Sequence, residues 1–318
     1  MKHLIISEYG IYLGLESGRL VVKNKNDKKY FPLNRLATLS IAKKGVSFSS
    51  DLVEQFSLRG IKLFFLDFRG VAHSMLVGTN QHAVVQARIN QYRYIDRNAL
   101  TLSIKLIAAK IKNQRATLNY FNKHHKSINL LNAIEELKRV AQLIKNAKTL
   151  NDVLGYEGYA ANIYFSSLAK DKFLSASFAN REGRGSQEIA NSMLNFGYAI
   201  LSSYILNAIT NAGLEPYLRF LHQKRPGKMS LVLDLMEEYR AWVVDRVVIK
   251  LREQYKNKQY IDTKLKSILI SEIQATIAKK YIYNGKKLKL EHIIQRQVYR
   301  LSGEFAGEHN YKPYIFKW

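Results

Sequence analysis

The apolar residues of this chain change their spacing near residue 84, and no other feature limits its fold as strongly. Before that point, runs such as HLIISEYGIYLGLESGRLVVKN and GIKLFFLDFRG are short and are bounded or broken by glycine. Such runs predict short β-strands. After that point, long segments such as VVQARINQYRYIDRNALTLSIKLIAAKIKNQRATLNYF repeat with a helical period. The chain is therefore expected to form a β-rich part followed by a helical part.

We predict an α+β fold with a small N-terminal β-rich domain over residues 1–80 and a larger all-α C-terminal domain over residues 84–318. The polar stretch TNQHA lies where the period changes, so the linker is placed at residues 81–83. DLVEQFSL, residues 51–58, predicts a short helix within the β-rich domain, with Asp51 or the serines before it as the N-cap.

The hydropathy of the chain predicts neither a membrane span nor a secretory signal. No run approaches the roughly 18 uncharged apolar residues that a spanning helix needs. The N-terminus reaches its first acid at Glu8 and shows no small-residue cleavage site. The expected compartment is the cytoplasm.

The charge of the chain predicts a polyanionic partner. It carries 50 Lys and Arg against 25 Asp and Glu, a formal net charge of +25. Such charge repels itself in the free protein and is relieved by phosphate contacts, so nucleic acid is the first expectation. A Lys-rich solvent surface is the alternative, while an anionic membrane is disfavoured because the basic residues are spread along the chain. With no cysteine, any metal site must use imidazole and carboxylate ligands.

The run LVLDLMEEYR, residues 231–240, places three acids inside an apolar segment of this basic chain. On a helix beginning near Ser230, the side chains of Glu237, Glu238 and Asp245 fall within about 60° of Asp234. Apolar residues fill most of the remaining circumference, so we expect a helix that is buried nearly all round and carries one acidic seam.

Two interpretations of the acidic seam stay open. It can be the solvated face of the helix, with its early acids favoured by the helix dipole. Against this, three carboxylates within roughly 5–7 Å of each other raise at least one pKa unless a cation neutralises them. A solvent-facing stripe in so basic a protein would also be expected to carry lysine. The second interpretation is therefore a divalent metal or a ring of basic residues beside the seam.

Two residues outside the seam are further candidates for such a site. His222, in GLEPYLRFLHQKRPGK, lies at an expected helix end twelve residues before Asp234, and a loop of that length can fold back beside the next helix. Glu157, in LGYEGYAANIYFSSLAK, lies at the start of an apolar helix rich in small residues. Taken alone, Glu157 is a first-turn helix acid and His222 is a core or surface histidine.

Two basic loops interrupt the helical part and supply candidate phosphate contacts, or else are merely solvated. They are FANREGRGSQ and LHQKRPGKMS, and the candidate residues are Arg181, Arg184, Lys224, Arg225 and Lys228. The C-terminal stretch GEHNYKPYIFKW interleaves lysine with aromatic residues. We expect it to pack as a tail rather than to stack on bases.

Four segments carry a resemblance to a known family. GYEGYAANIYF, NSMLNFGYAIL, AGLEPYLRFLH and SLVLDLMEEYR, in this order and spacing, resemble the CRISPR-associated protein one family, the integrase of CRISPR spacer acquisition. The likeness covers essentially the whole chain and implies an N-terminal β domain joined to a helical catalytic domain. It places the family's metal ligands on Glu157, His222 and Glu237 and an additional catalytic acid on Asp234.

The resemblance implies a metal-dependent DNA endonuclease and integrase that joins the 3′-OH ends of protospacer DNA to the CRISPR repeat. It also implies a homodimer that flanks a dimer of CRISPR-associated protein two. Two carboxylates and one imidazole suit Mg²⁺ or Mn²⁺ better than zinc. Where relatives often have D-P-x-N, this chain has Glu188 and Ile189 before Asn191, so the loop with Arg181 and Arg184 departs from the family pattern.

Three functions remain open at this point. The first is the adaptation integrase, in which the metal activates the attacking hydroxyl, since no covalent nucleophile is indicated. The second is a mobile-element integrase or structure-specific DNA-repair nuclease of the same fold, acting without a partner protein. The third is a non-enzymatic, basic, helical nucleic-acid-binding protein whose acids form only salt bridges.

Overall fold

The computed structural model describes residues 2–67, 70, 72–78, 84–183, 185–221 and 228–317. The chain divides into two compact units, Met1–Ala83 and Val84–Trp318. The linker predicted at residues 81–83 lies outside the described residues. Within the described part, no helix is long and apolar enough to cross a membrane.

The N-terminal unit contains two four-stranded sheets. The first has the strand order β1-β5-β7-β8, in which β1, β5 and β7 are parallel and β8 is antiparallel to β7. The second has the order β4-β3-β2-β6. The strands are β1 Lys2–Ile6, β2 Tyr12–Glu16, β3 Arg19–Lys23, β4 Lys28–Pro32, β5 Leu36–Ile41, β6 Ser47–Phe48, β7 Lys62–Leu66 and β8 Ala72–Leu76.

One short helix packs within the N-terminal unit. Helix α1, Ser50–Leu58, begins after Ser49, whose hydroxyl accepts a hydrogen bond from the Leu52 backbone N–H. A serine before Asp51 is therefore the N-cap. Leu52 and Phe56 of α1 join inward residues of both sheets in one apolar core. Burial of these side chains stabilises the unit.

The C-terminal unit is built mainly from helices. They are α2 Val84–His125, α3 Ile128–Leu143, α4 Leu150–Lys170, α5 Ile189–Asn211, α6 Ser230–Met236, α7 Arg246–Lys250, α8 Arg252–Tyr255, α9 Thr263–Ala278 and α10 Leu290–Phe305. A π-helical turn, Arg240–Asp245, lies between α6 and α7. The α+β class, β-rich and then mostly helical, is thereby confirmed.

Helix α2 is the longest element of the protein. Its 42 residues extend for about 63 Å at 1.5 Å per residue. It packs against α3, α4, α10 and the π-helical turn. The continuous helical period that begins at Val84 therefore corresponds to one helix that supports much of this unit.

A β-hairpin interrupts the helices of this unit, although the helical period predicts none there. Strands β9, Lys280–Tyr283, and β10, Lys286–Lys289, pair in antiparallel register around Asn284 and Gly285. Both turn residues have positive φ, 47° and 77°. An Asn-Gly pair between short runs is a strong hairpin signal, because both residues tolerate this conformation.

The segment before His222 is not helical, contrary to the expectation that His222 lies at a helix end. Helix α5 ends at Asn211, and residues 212–221 form turns and bends. Pro216 lies in this stretch and cannot supply the backbone N–H that a continuing helix needs. The ten residues before His222 therefore have no regular secondary structure.

Candidate active site

Lys110 joins two of the predicted site residues. Its Nζ lies 2.5 Å from Oε1 of Glu157 and 2.8 Å from Oε2 of Glu237. The three side chains come from α2, α4 and the residue after α6, which are far apart in the sequence. The fold thus brings Glu157 and Glu237 into contact with the same ammonium group.

Glu157 reaches this position from within α4. The helix begins at Leu150 after a capping box, in which Thr149 and Asp152 satisfy each other's backbone N–H groups. The first-turn acid of α4 is therefore Asp152, and the interpretation of Glu157 as a first-turn acid is wrong. Glu157 lies about two turns into the helix, which allows it to face α2.

The electrostatic balance at this centre holds Lys110 in its charged form. Lys110 is buried, and burial by itself disfavours the ammonium. The carboxylates of Glu157 and Glu237 outweigh that effect, so the pKa of Lys110 is raised above its usual value. Nη1 of Arg240 lies 3.2 Å from the other oxygen of Glu237. Two cations therefore face one buried carboxylate.

The four acids of the predicted seam are all buried, with exposures of 0% for Asp234, 1% for Glu237, 1% for Glu238 and 3% for Asp245. The solvated-face interpretation is therefore wrong. The single-seam geometry is wrong as well, because α6 ends at Met236 and a π-helical turn follows it. Asp234, Glu237 and Glu238 precede this turn and Asp245 ends it, and the four acids contact different partners.

Asp234 contacts the backbone that leads to His222. Its Oδ2 accepts hydrogen bonds from the N–H groups of Phe220, at 3.1 Å, and Leu221, at 3.3 Å. Two backbone N–H groups thus satisfy this buried carboxylate oxygen. Asp234 therefore fixes the end of the irregular segment, while His222, Lys224 and Arg225 lie outside the described residues.

Glu238 faces the C-terminal tail and takes no part in the Lys110 cluster. Its carboxyl accepts the Tyr314 backbone N–H at 2.7 Å and contacts the Tyr311 hydroxyl. Burial raises the pKa of Glu238 to about 8, although the bond from Tyr314 opposes that rise. Tyr311, Tyr314 and Phe316 are buried, so the tail packs onto the unit through its aromatic residues.

Asp245 faces a third set of partners. The Tyr198 hydroxyl donates to Asp245 Oδ1 at 2.5 Å. Burial raises the pKa of Asp245 to about 6, against the opposing effects of the Tyr198 bond and of the Arg181 and Arg240 charges. The guanidinium groups of Arg181 and Arg240 lie 5.3 and 4.8 Å from the centre of the Tyr198 ring. Tyr198 thus packs between the loop before α5 and the segment after α6.

Arg181, a predicted phosphate contact, lies in a loop that is held by hydrogen bonds within the protein. Arg181 donates to Asn191 Oδ1 at 3.0 Å and to Asn195 Oδ1 at 2.6 Å. Glu188 caps α5 by accepting the N–H groups of Ala190 and Asn191. Glu188 therefore performs the helix-capping role that an Asp would perform at this position. The candidate Arg184 lies outside the described residues.

The donor set fits a hard divalent cation. Glu157 and Glu237 converge on one cationic group, and carboxylate oxygens are preferred ligands of Mg²⁺ and Mn²⁺. The described residues do not include His222. Among them, no group of three His, Asp or Glu is placed to hold a metal. Lys110 and Arg240 also belong to this centre, and neither was predicted from the sequence.

Comparisons with known proteins agree on one family. Residues 4–282 match the family described as CRISPR associated protein Cas1. A curated relative from Francisella tularensis subsp. novicida, CRISPR-associated endonuclease Cas1 1, is 99% identical over 318 residues and 100% of both chains. A relative of the same name from Archaeoglobus fulgidus is 30% identical over 99% of each chain.

Solved structures show the same fold. A casposase bound to integration product matches with a TM-score of 0.82 at 23% identity, covering 100% of this chain and 95% of that one. A Cas1 protein from Thermotoga maritima matches with a TM-score of 0.78 at 18% identity, covering 98% and 99%. A Cas6-RT-Cas1–Cas2 complex contains a chain that matches at 0.80 and 20% identity, with 99% of this chain and 36% of that chain covered.

Proposed function

Because the chain belongs to the CRISPR-associated Cas1 family, we propose that it is a metal-dependent DNA endonuclease and integrase of CRISPR adaptation. In this proposal it joins the 3′-OH ends of protospacer DNA to the CRISPR repeat by phosphodiester transesterification. The observation that carries the proposal is the convergence of Glu157 and Glu237 on the single ammonium of Lys110. Two carboxylates converge here on one cation within a strongly basic protein.

Glu157 and Glu237, with His222, are the residues proposed to hold a Mg²⁺ or Mn²⁺ ion. When bound, such an ion lowers the pKa of an attacking hydroxyl and stabilises negative charge on the phosphate in the transition state. The protein supplies a largely buried carboxylate pair, which excludes most water and strengthens the attraction for a cation.

Lys110 and Arg240 are proposed to hold the phosphate beside these carboxylates. Both are cationic, and both contact Glu237. Arg240 is also fixed by the Tyr198 ring. A positioned cation next to a phosphodiester stabilises the charge that develops during phosphoryl transfer. Lys228, at the end of the basic loop, and Arg184, Lys224 and Arg225 are proposed to add phosphate contacts.

Asp234 is proposed to act as a positioning residue. It fixes the backbone N–H groups of Phe220 and Leu221, which immediately precede the proposed ligand His222. Groups that orient a metal ligand commonly affect metal affinity even though they do not touch the ion. Asp234 would therefore limit where the imidazole of His222 can lie.

The proposed partners are a protospacer duplex and the CRISPR repeat, a second copy of this chain, and a dimer of CRISPR-associated protein two. One similar structure is a Cas1–Cas2 complex, and another is bound to an integration product. The net charge of +25 supports binding to DNA through phosphates. Such binding should weaken steeply as salt is added.

Strand transfer tests the proposal. A duplex with 3′-OH ends is incubated with a supercoiled plasmid that carries the repeat, with Mn²⁺, in the presence and absence of the partner protein. We expect wild type to join the ends, and Glu157→Gln, Glu237→Gln and His222→Ala to lose joining while still binding DNA. Glu238→Gln is the matched control, because it changes a neighbouring buried acid that faces the tail. Joining by Glu157→Gln and Glu237→Gln at the wild-type rate would overturn the assignment.

A further inference from the structure

Asn113 is a buried residue of α2 whose side chain makes three hydrogen bonds to the backbone of other elements. Its Nδ2 donates to the backbone oxygens of Glu238, at 2.7 Å, and Tyr314, at 2.9 Å. Its Oδ1 accepts the backbone N–H of Phe316 at 2.9 Å. Asn113 is 0% exposed. Among short side chains, the amide of asparagine supplies both the two N–H donors and the acceptor that these bonds use.

Asn113 lies beside the candidate active site. It follows Lys110 by three residues on α2, and residues at this spacing are neighbours on one face of a helix. Lys110 contacts the carboxylate of Glu237, whereas Asn113 contacts the carbonyl of the next residue, Glu238. Helix α2 therefore holds the side chain of Glu237 through one residue and the backbone that follows it through another.

The backbone around Glu237 does not belong to a regular α-helix. Helix α6 ends at Met236, and the π-helical turn begins at Arg240. Between them, the N–H of Glu237 donates to the backbone oxygen of Asp234 at 3.2 Å. The N–H of Tyr239 donates to that of Met236 at 2.9 Å, again three residues back. Hydrogen bonds of this spacing have poorer geometry than those of an α-helix, so contacts from other elements contribute to the position of Glu237.

The C-terminal tail, residues 311–316, also holds this segment. The backbone N–H of Tyr314 donates to the Glu238 carboxyl at 2.7 Å, and the Tyr311 hydroxyl contacts the same carboxyl. Asn113 bonds both to Glu238 and to the tail, so the three form one connected set of hydrogen bonds. Glu238→Gln keeps an oxygen that accepts the Tyr314 N–H, so this variant should leave the tail docked.

Helix α10 fixes the other side of the tail. Nε2 of Gln297 donates to the backbone oxygen of Lys312 at 3.0 Å, and the carboxyl of Glu304 accepts the backbone N–H of Tyr311. Gln297 and Glu304 are both buried. The tail is therefore tied to α2 on one side and to α10 on the other, and it presents a fixed backbone to Glu238.

We propose that Asn113 is a positioning residue for Glu237 and that it acts together with the docked tail. Through the carbonyl of Glu238, Asn113 fixes the backbone from which the Glu237 carboxylate reaches a metal ion. The inference rests on the proposed function, because it takes Glu237 as a metal ligand. Groups that orient a ligand without touching the ion change metal affinity. By thermodynamic linkage, a bound ion then stabilises the docked tail in return.

Calorimetric binding of Mn²⁺ to the full chain, without DNA, tests the role of Asn113. Asn113→Leu keeps a side chain of similar size and removes all three hydrogen bonds. We expect its Kd for Mn²⁺ to rise about 10- to 100-fold. Asn122→Leu is the matched control, because Asn122 is a buried amide of the same helix that accepts the Ser127 backbone N–H. The control should lose stability and yet bind Mn²⁺ as wild type does. Equal Kd values for Asn113→Leu and wild type would overturn the inference.

Asn113→Asp separates positioning from charge. A carboxylate can still accept the Phe316 N–H, but it has no N–H to donate to the backbone oxygens of Glu238 and Tyr314. By charge alone, an added anion near the centre would strengthen the binding of a divalent cation. Positioning predicts the opposite, a higher Kd for Mn²⁺ than that of wild type. A Kd at or below the wild-type value would contradict the positioning role.

Hydrogen exchange in the wild-type chain tests the linkage without any substitution. Saturating Mn²⁺ should slow exchange of the Tyr314 and Phe316 amides, because the ion and the docked tail stabilise each other. The amides of β3, in the N-terminal unit, are the internal control and should exchange at an unchanged rate. If wild type bound Mn²⁺ and its tail amides exchanged as fast as before, the positioning role alone would fail. If wild type bound no Mn²⁺, the metal assignment of Glu237 would fail, and the inference that rests on it would fail with it.

Discussion

Nζ of Lys110 lies 2.8 Å from Oε2 of Glu237, and both side chains are buried. This ion pair places a protein cation against a carboxylate that the proposed function assigns to a metal. Burial makes each charge costly without a partner, so the centre should respond strongly when either one is removed. The dependence between Lys110 and metal is the first consequence that can be measured.

Lys110→Met removes the ammonium and keeps a side chain of similar length. Without metal, we expect the free energy of unfolding to fall by about 3 kcal/mol, because Glu157 and Glu237 lose their shared cation. Mn²⁺ should then raise the Tm of the variant more than that of wild type, since the ion no longer competes with the ammonium. Thermal unfolding with and without Mn²⁺ measures both effects.

Lys105→Met is the matched control for Lys110→Met. Lys105 lies on the same helix and its Nζ is 2.9 Å from Glu304 Oε1. This variant should also lose stability, but Mn²⁺ should stabilise it no more than wild type. If Mn²⁺ raised the Tm of both variants equally, Lys110 would not compete with a metal ion for Glu157 and Glu237.

Asp234→Asn tests the positioning of His222. The amide keeps the shape of the carboxylate but is a weaker acceptor for the two N–H groups of Phe220 and Leu221. We expect the Mn²⁺ concentration for half-maximal strand transfer to rise by about 10- to 100-fold. The rate at saturating Mn²⁺ should recover. Asp262→Asn changes the partly exposed N-cap of α9 and should not change this concentration. A lower rate at every Mn²⁺ concentration would instead place Asp234 in the chemical step.

Glu238 makes stability depend on pH. Its pKa is about 8 in the folded protein against 4.5 for the free group. Between these values only the unfolded chain releases the proton, so the free energy of unfolding falls as pH rises, by roughly 1.4 kcal/mol per unit from this group. Below pH 4.5 the group contributes no pH dependence. Urea unfolding of wild type at pH 6 and pH 8 measures the fall.

Glu238→Gln should flatten that dependence. The amide cannot ionise, and its oxygen can still accept the Tyr314 N–H that holds the tail. Glu253→Gln changes an exposed acid and should keep the wild-type slope. An unchanged slope in Glu238→Gln would show that the carboxyl does not carry a raised pKa.

The sequence predicts which residues are proposed as metal ligands at this centre better than it predicts their geometry. Glu157 and Glu237 can be found because their segments carry family motifs, and they do meet in the fold. Lys110 could not be found, since nothing local distinguishes it among 50 basic residues. Its contacts with Glu157 and Glu237 depend on how α2 packs against α4 and the segment after α6. Such packing joins residues that are far apart in the sequence.

The path of the chain around residues 230–245 could not be derived from a regular helical period. The prediction assumes 100° per residue, whereas α6 ends at Met236 and a π-helical turn begins at Arg240. The hairpin at Asn284 and Gly285 is different, because its turn signal is present in the sequence. The helical periods on both sides of residues 280–289 dominate the sequence pattern there. The turn preference of Asn284 and Gly285 nevertheless agrees with the structure.

Gly197 marks a close approach between helices. A Cβ at this position would lie 2.5 Å from Cγ1 of Val244 and 3.2 Å from Cδ1 of Ile273. Gly197→Ala is therefore expected to lower the free energy of unfolding by about 1–3 kcal/mol through overpacking. Urea unfolding measures the change.

Gly155→Ala is the contrasting substitution. Gly155 lies within α4 and its added Cβ would meet no atom within 4 Å. Alanine should stabilise the helix here by up to about 1 kcal/mol, because glycine is a poor helix former. A stabilising Gly197→Ala would contradict the close packing of α5 against the π-helical turn.

The π-helical turn Arg240–Asp245 makes this segment sensitive to its length. Within a few residues, Glu237 faces Lys110, Glu238 faces the tail and Asp245 faces Tyr198. Deleting one residue would rotate everything beyond the turn by about 100° and carry Asp245 away from its hydroxyl partner. A change of length in this turn would therefore disturb the contact of Asp245, whereas Glu237 and Glu238, which precede the turn, would keep their own partners.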